Sequence, residues 1–146
     1  MKMQRAILVS GLAFAGIVAA CSKGDKPAGE EASSPAAATS SGPAAGGKTI
    51  EVKLITDGTG NRFEPNKIEA HQGDLIKFVL EVGVHNVHFL PDSNPGKTGL
   101  PPASEMLQLP GQTYELPITL KPGHYYFQCD PHAALGMIGH LEVEDD

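Results

Sequence analysis

An all-β fold, a Greek-key sandwich of short strands, is predicted for residues 49 to 146 on three observations. Apolar residues recur with a period of two rather than 3.6. Turn-forming residues punctuate the chain at Asp57-Gly58, Gln72-Gly73-Asp74, Pro91-Asp92-Ser93-Asn94-Pro95-Gly96, Pro110-Gly111 and Lys121-Pro122-Gly123. No convincing stretch of helical period lies between them, and many short strands at this spacing pack best as two sheets.

In the first strand Ile50, Val52 and Leu54 alternate with Glu51 and Lys53. Lys67 to Ala70 is a second candidate. In the next, Ile76, Phe78, Leu80 and Val82 alternate with Lys77 and Glu81, and both alternating runs read as half-buried. His85 to Leu90 reads as a further strand. A long Pro-rich stretch, Asp92 to Leu109, follows it, with one helical turn expected near Ala103 to Leu107. Tyr114 to Leu120 is strand-like, but Pro117 cannot donate to a ladder, which implies an edge position or a bulge. In His124 to Cys129, alternation puts Tyr125, Phe127 and Cys129 on one face and Tyr126 and Gln128 on the other; with the first two aromatics in the core, the cysteine sulfur is aimed inward. Ile138 to Glu144 completes the set.

Two segments precede this domain. In residues 1 to 20, the basic Lys2 and Arg5, the apolar run Ala6 to Ala20 and the small residues Val18-Ala19-Ala20 have the pattern of a secretory signal. The apolar run is shorter than the roughly 20 residues a spanning helix needs. Val-Ala-Ala-Cys resembles the lipobox of bacterial lipoproteins, which implies that Cys21 is lipidated and becomes the new N-terminus. Two acyl chains anchor a protein stably where one is marginal, each buried methylene contributing about 0.8 kcal/mol. The expected location is therefore a bacterial membrane surface, with the domain in the periplasm or outside the cell. Residues 21 to 48 then comprise the lipidated cysteine and an Ala/Gly/Ser/Pro-rich linker without an aromatic residue. As a flexible coil it reaches about 30 Å.

The domain itself holds six Lys or Arg against fourteen Asp or Glu, a formal charge of −8. That balance argues against nucleic acid and against direct adhesion to anionic lipid, and it permits steering towards a basic partner. The chain has two cysteines. If Cys21 carries lipid, Cys129 has no intramolecular partner in a compartment that permits disulfides, and metal ligation accounts best for such a thiol.

Four residues supply a candidate metal site: His85, Cys129, His132 and Met137. Singly, each has an ordinary explanation: a structural histidine, a small buried hydrophobe, a loop histidine, a core methionine. Together they combine two imidazoles, a soft thiolate and a thioether. That set suits copper, above all a centre with two His and one Cys in a plane and Met as weak axial ligand. Zinc competes for such ligands, but a thioether serves it poorly.

The spacing Cys-x2-His-x4-Met, with Tyr125-Tyr126-Phe127, Gly136-Met137-Ile138-Gly139 and the upstream His85-Asn86-Val87, resembles the plastocyanin branch of the blue copper proteins, the cupredoxins. The resemblance covers roughly residues 49 to 146. It implies one copper per domain, held by His85, Cys129, His132 and Met137, and one-electron transfer between redox protein partners by a monomer. It further implies that Asn86 ties the His85 segment to the Cys129 loop. Pro131, lacking an N–H, leaves the sulfur with fewer donors. The ring edge of His132 is expected at the surface, rimmed by Leu135 and by Leu100 and Pro101.

Two departures matter. Gln128 stands where plastocyanins carry an exposed Tyr beside the Cys, and Val84 where they have Pro. The photosynthetic partners of plastocyanin are therefore not carried over. His71, His88, His124 and His140 are assigned no copper. A role in copper storage or delivery is the main alternative to electron transfer. A reductase is disfavoured because protein ligands fill all four positions.

Overall fold

In the computed structural model, which describes residues 42–145, alternating burial along β1 (Thr49–Asp57) buries Val52 and Leu54 and turns Glu51 outward. The signal segment, Cys21 and the linker up to residue 41 lie outside the described residues. A tight turn leads into β2 (Gly60–Glu64), antiparallel to β1, and then come β3 (Lys67–His71) and β4 (Leu75–Val82). The remaining strands are β5 (Thr113–Pro117), β6 (Gly123–Gln128) and β7 (Ile138–Glu144). One sheet has the order β2-β1-β4-β5 and the other β3-β7-β6. The described residues are thus all-β, with one parallel and two antiparallel pairings in the first sheet and one of each in the second.

The apolar faces of the two sheets meet in one core. Phe127 of β6 lies at its centre, with ring centroids 4.9 Å from Phe63, 5.3 Å from Phe89 and 5.7 Å from Phe78. Opposite Phe127 in the ladder stands Gly139, where any Cβ would fall 2.1 Å from the Phe127 ring. Glycine is required there to make room for the aromatic. As expected, Tyr125, Phe127 and Cys129 are buried, while Tyr126 and Gln128 are half-buried on the other face. Pro117 sits on β5, an edge strand, where no partner needs its missing N–H.

Three expectations need correction. Residues 85–90 do not form a strand. His85 bridges Leu107 and His88 bridges Gln128, one pairing each with different neighbours, and the consecutive burial of His85, Asn86 and Val87 breaks the alternation. No helical turn forms at 103–107, because those residues bond across to this same segment: the Ser104 N–H donates to the Val87 carbonyl and the Leu107 N–H to that of His85. The only turns of helix among the described residues are 3₁₀ segments, Pro91–Ser93 and Asp130–Leu135. Finally, β2 was not anticipated, since Phe63 is its only fully buried side chain.

The long stretch after residue 91 acts as a sheet edge. Buried Asn94 donates to the carbonyls of Leu90 (2.8 Å) and Tyr126 (2.9 Å) and accepts the Tyr126 N–H (2.7 Å). One side chain thereby imitates a strand against the open edge of β6. At the other end of the fold, the last residues before β1 are bonded to the turn between β3 and β4: the Ala44 N–H donates to the Gly73 carbonyl and the Leu75 N–H to that of Lys48. Buried Asp74 accepts the backbone N–H groups of Lys48 (2.8 Å) and His71 (2.9 Å).

Candidate metal centre

The chain leaves β4 at Val82, turns at Gly83 with φ +110°, and delivers His85 fully buried. The His85 Nε2 lies 3.0 Å from the Val82 carbonyl and 3.0 Å from the Thr56 hydroxyl. A carbonyl can only accept, so Nε2 carries the proton and a neutral ring presents a bare Nδ1. The Thr56 hydroxyl donates its own proton to Asn61 Oδ1 at 2.6 Å, which leaves its lone pairs for the imidazole. Burial holds the His85 pKa below the usual imidazole value; the Val82 bond opposes this and neighbouring His132 adds to it. Neutral imidazole is the form that binds metal. A Cβ at position 83 would lie 2.5 Å from Nε2 and 2.6 Å from the Thr56 hydroxyl, so the glycine is needed for space as well as for its backbone angle. Thr56, Asn61 and Gly83 are not expected from the sequence patterns, although a glycine two residues before the candidate histidine is a visible signal.

The second part of the centre is a loop closed on itself. The Cys129 N–H donates to the Met137 carbonyl (3.1 Å), the His132 N–H to that of Cys129 (3.0 Å), and the Met137 N–H to that of His132 (3.1 Å). Each of the three residues thus fixes another through the backbone. Pro131 falls in the first turn of the 3₁₀ segment, where a missing N–H costs nothing, and Gly136 ends it with φ +90°. Cys129 is buried and unpaired. Burial pushes its thiol pKa up, while the backbone N–H groups of Asn86 and His132 act the other way. Met137 is fully buried in the same core cluster as Cys129.

His85 Nδ1 lies 3.2 Å from His132 Nδ1 and 3.5 Å from Cys129 Sγ, and the latter two are 3.4 Å apart. A triangle with these sides has a centre about 2 Å from each corner, close to metal–nitrogen bond lengths of about 2.0–2.1 Å. The donor set therefore fits a single soft or borderline metal ion. Among the described residues, these three form the one group of His, Cys and carboxylate side chains close enough to share an ion.

Asn86 joins the two parts. Its Nδ2 donates to Asp130 Oδ2 and its Oδ1 accepts the Asp130 N–H, both at 2.8 Å. The other histidines lie elsewhere: His71 near Glu144 (3.4 Å), His88 near Asp130 (3.1 Å), His124 near Glu142 (3.7 Å) and His140 edge-on to the Tyr126 ring (5.9 Å). His132 is only half-buried, as are Leu100 and Pro101, and Leu135 in the same loop is 69 % exposed. Val84, beside His85, is exposed too.

Residues 50–144 match the family of copper binding proteins described as plastocyanin/azurin. The chain is 35% identical over 99 residues to a plastocyanin from Prochlorothrix hollandica, covering 66% of this chain and 73% of that protein. Among solved structures, a pseudoazurin from Sinorhizobium superposes with a TM-score of 0.51 at 30% identity, covering 67% of this chain and 75% of the other. A Cu-containing nitrite reductase from Thermus scotoductus superposes with a TM-score of 0.53 over 67% of this chain and 23% of its own; at 24% identity that likeness concerns the fold alone.

Proposed function

We propose that this chain, which belongs to the plastocyanin/azurin family of copper-binding proteins, is a membrane-tethered one-electron carrier. Copper is its cofactor, and it supplies a Cu(II)/Cu(I) couple. In this reading His85 and His132 would hold the ion through Nδ1 and Cys129 through its thiolate, and Met137 would add a weak thioether donor that tunes the potential. The observation that carries the reading is the triangle of two imidazole nitrogens and one sulfur, with sides of 3.2 to 3.5 Å. A frame fixed before the metal arrives suits a centre whose ligands must move little when the charge changes.

The route for the electron is the edge of half-buried His132, beside the exposed Leu135. A small apolar rim suits brief, low-area encounters between redox proteins. We infer a carrier rather than an enzyme because the chain itself offers donors for the ion in His85, Cys129 and His132, with buried Met137 in the same loop as a fourth. The tether rests on the sequence: the signal pattern of residues 1 to 20 and the lipobox-like Val-Ala-Ala-Cys ending at Cys21. It places the domain in the periplasm or outside the cell.

The test is to add one equivalent of Cu(II) to metal-free protein and record visible absorption and electron paramagnetic resonance. An intense thiolate-to-copper band with narrow hyperfine splitting, both lost in Cys129→Ala, is expected. A weak, broad spectrum insensitive to Cys129 refutes the assignment.

A further inference from the structure

Asp130, directly after Cys129, makes more contacts than joining Asn86 requires. One neutral acceptor would satisfy the Asn86 amide. Instead, a carboxylate takes Asn86 Nδ2 on Oδ2 (2.8 Å) and Gln128 Nε2 on Oδ1 (3.0 Å), and His88 Nδ1 stands 3.1 Å from both oxygens. The Asp130 N–H returns a bond to Asn86. His88 and Gln128 are themselves locked together, since their backbones exchange both hydrogen bonds at 2.9 and 3.0 Å. Tyr126 extends the chain of contacts by donating its hydroxyl to Gln128 Oε1 at 3.0 Å. Since a carboxylate only accepts, His88 must donate from Nδ1.

This arrangement has two consequences. Side chains from the His85 segment and from β6 converge on one residue of the Cys129 loop, so the carboxylate fixes the distance between the two parts of the centre. It also sets a negative charge one residue from the sulfur, and such a charge stabilises the more positive oxidation state. We propose that Asp130, held by His88 and Gln128, is a positioning residue that clamps the Cys129 loop to the His85 segment and biases the centre towards its oxidised form. The second half rests on the copper reading above; the first does not.

Reduction adds one electron to the centre from an external donor, so a substitution-inert one-electron mediator at fixed poise reads the bias directly. In Asp130→Asn the ratio of reduced to oxidised protein should rise about three- to tenfold, the size expected for one charge on a partly exposed carboxylate. A tenfold change equals about 59 mV. Asp130→Glu keeps the charge and should shift the ratio less than Asp130→Asn does. In metal-free protein, His88→Ala should speed amide exchange at Cys129, His132 and Met137, and His88→Gln, which still offers a donor, should restore it. An unchanged ratio in Asp130→Asn with the thiolate-to-copper band intact overturns the electrostatic half. Unchanged exchange in His88→Ala overturns the clamp. Absence of that band in the unsubstituted protein defeats the copper reading instead, and the exchange experiment still decides the clamp.

Discussion

Gly139→Ala tests whether the core beneath the metal centre is as tightly determined as the fold implies. The added Cβ would lie 2.1, 2.4 and 2.8 Å from Phe127 Cζ, Cε2 and Cε1. The ring cannot step aside, because Phe63, Phe78 and Phe89 enclose it with centroids 4.9 to 5.7 Å away. Forcing one methyl into a packed core costs about 1–3 kcal/mol, and a contact this short belongs at the upper end. Replacing glycine recovers about 0.4–1 kcal/mol through the unfolded chain. The expected net loss is about 2 kcal/mol. In a domain of this size that lowers Tm by roughly 8–16 °C. Denaturant and thermal unfolding of the metal-free protein measure it. Repeating the substitution in a Phe127→Leu background, where the ring is gone, should shrink the penalty by about 1 kcal/mol or more, as expected for residues in contact. A loss below 0.5 kcal/mol in the parent, or an equal loss in both backgrounds, would refute the packing argument.

Gly83→Ala places a side chain at φ +110° and 2.5 Å from His85 Nε2; it should cost about 2–4 kcal/mol from the backbone angle and crowding. Unfolding curves give that loss, and a weakened thiolate-to-copper band reports the displaced imidazole. Asn94→Ala removes three hydrogen bonds to backbone, so about 2–4 kcal/mol should be lost, measured as a shift in denaturant midpoint. Because burial holds the His85 pKa below 6.5 in the folded protein, the unfolded chain binds the proton first as pH falls. Metal-free protein should therefore lose stability below about pH 6.5, down through the lower folded value, and His85→Gln should flatten that slope in urea titrations. A slope that survives the substitution would rule out His85 as its source.

How legible the site was depended on whether its parts lay in local patterns. Cys129, His132 and Met137 sit in one short loop after a strand whose alternation already aimed the sulfur inward, and that loop closes on its own backbone. Pro117 implies an edge position or a bulge for a reason carried by one residue, and β5 is an edge strand. The support of His85 was not legible in this way. Thr56 reaches it from β1 across 29 residues and is itself held by Asn61 of β2, and neither looks unusual in its own strand. β2 itself hides because its polar positions bond sideways, Asn61 to Thr56 and Arg62 to Asp57 and Glu64, instead of alternating with apolar ones. The segment 85–90 departs from the expected strand for the opposite cause. Its apolar richness looks like a strand, but it crosses between the sheets and pairs once with Leu107 and once with Gln128. Crossing is also what makes it useful. A regular strand would turn His85 and Asn86 to opposite faces, whereas this segment buries both, so that the imidazole reaches the sulfur while the adjacent amide holds the loop that carries it. The irregular backbone is therefore the means by which two sheets deliver one compact ligand set.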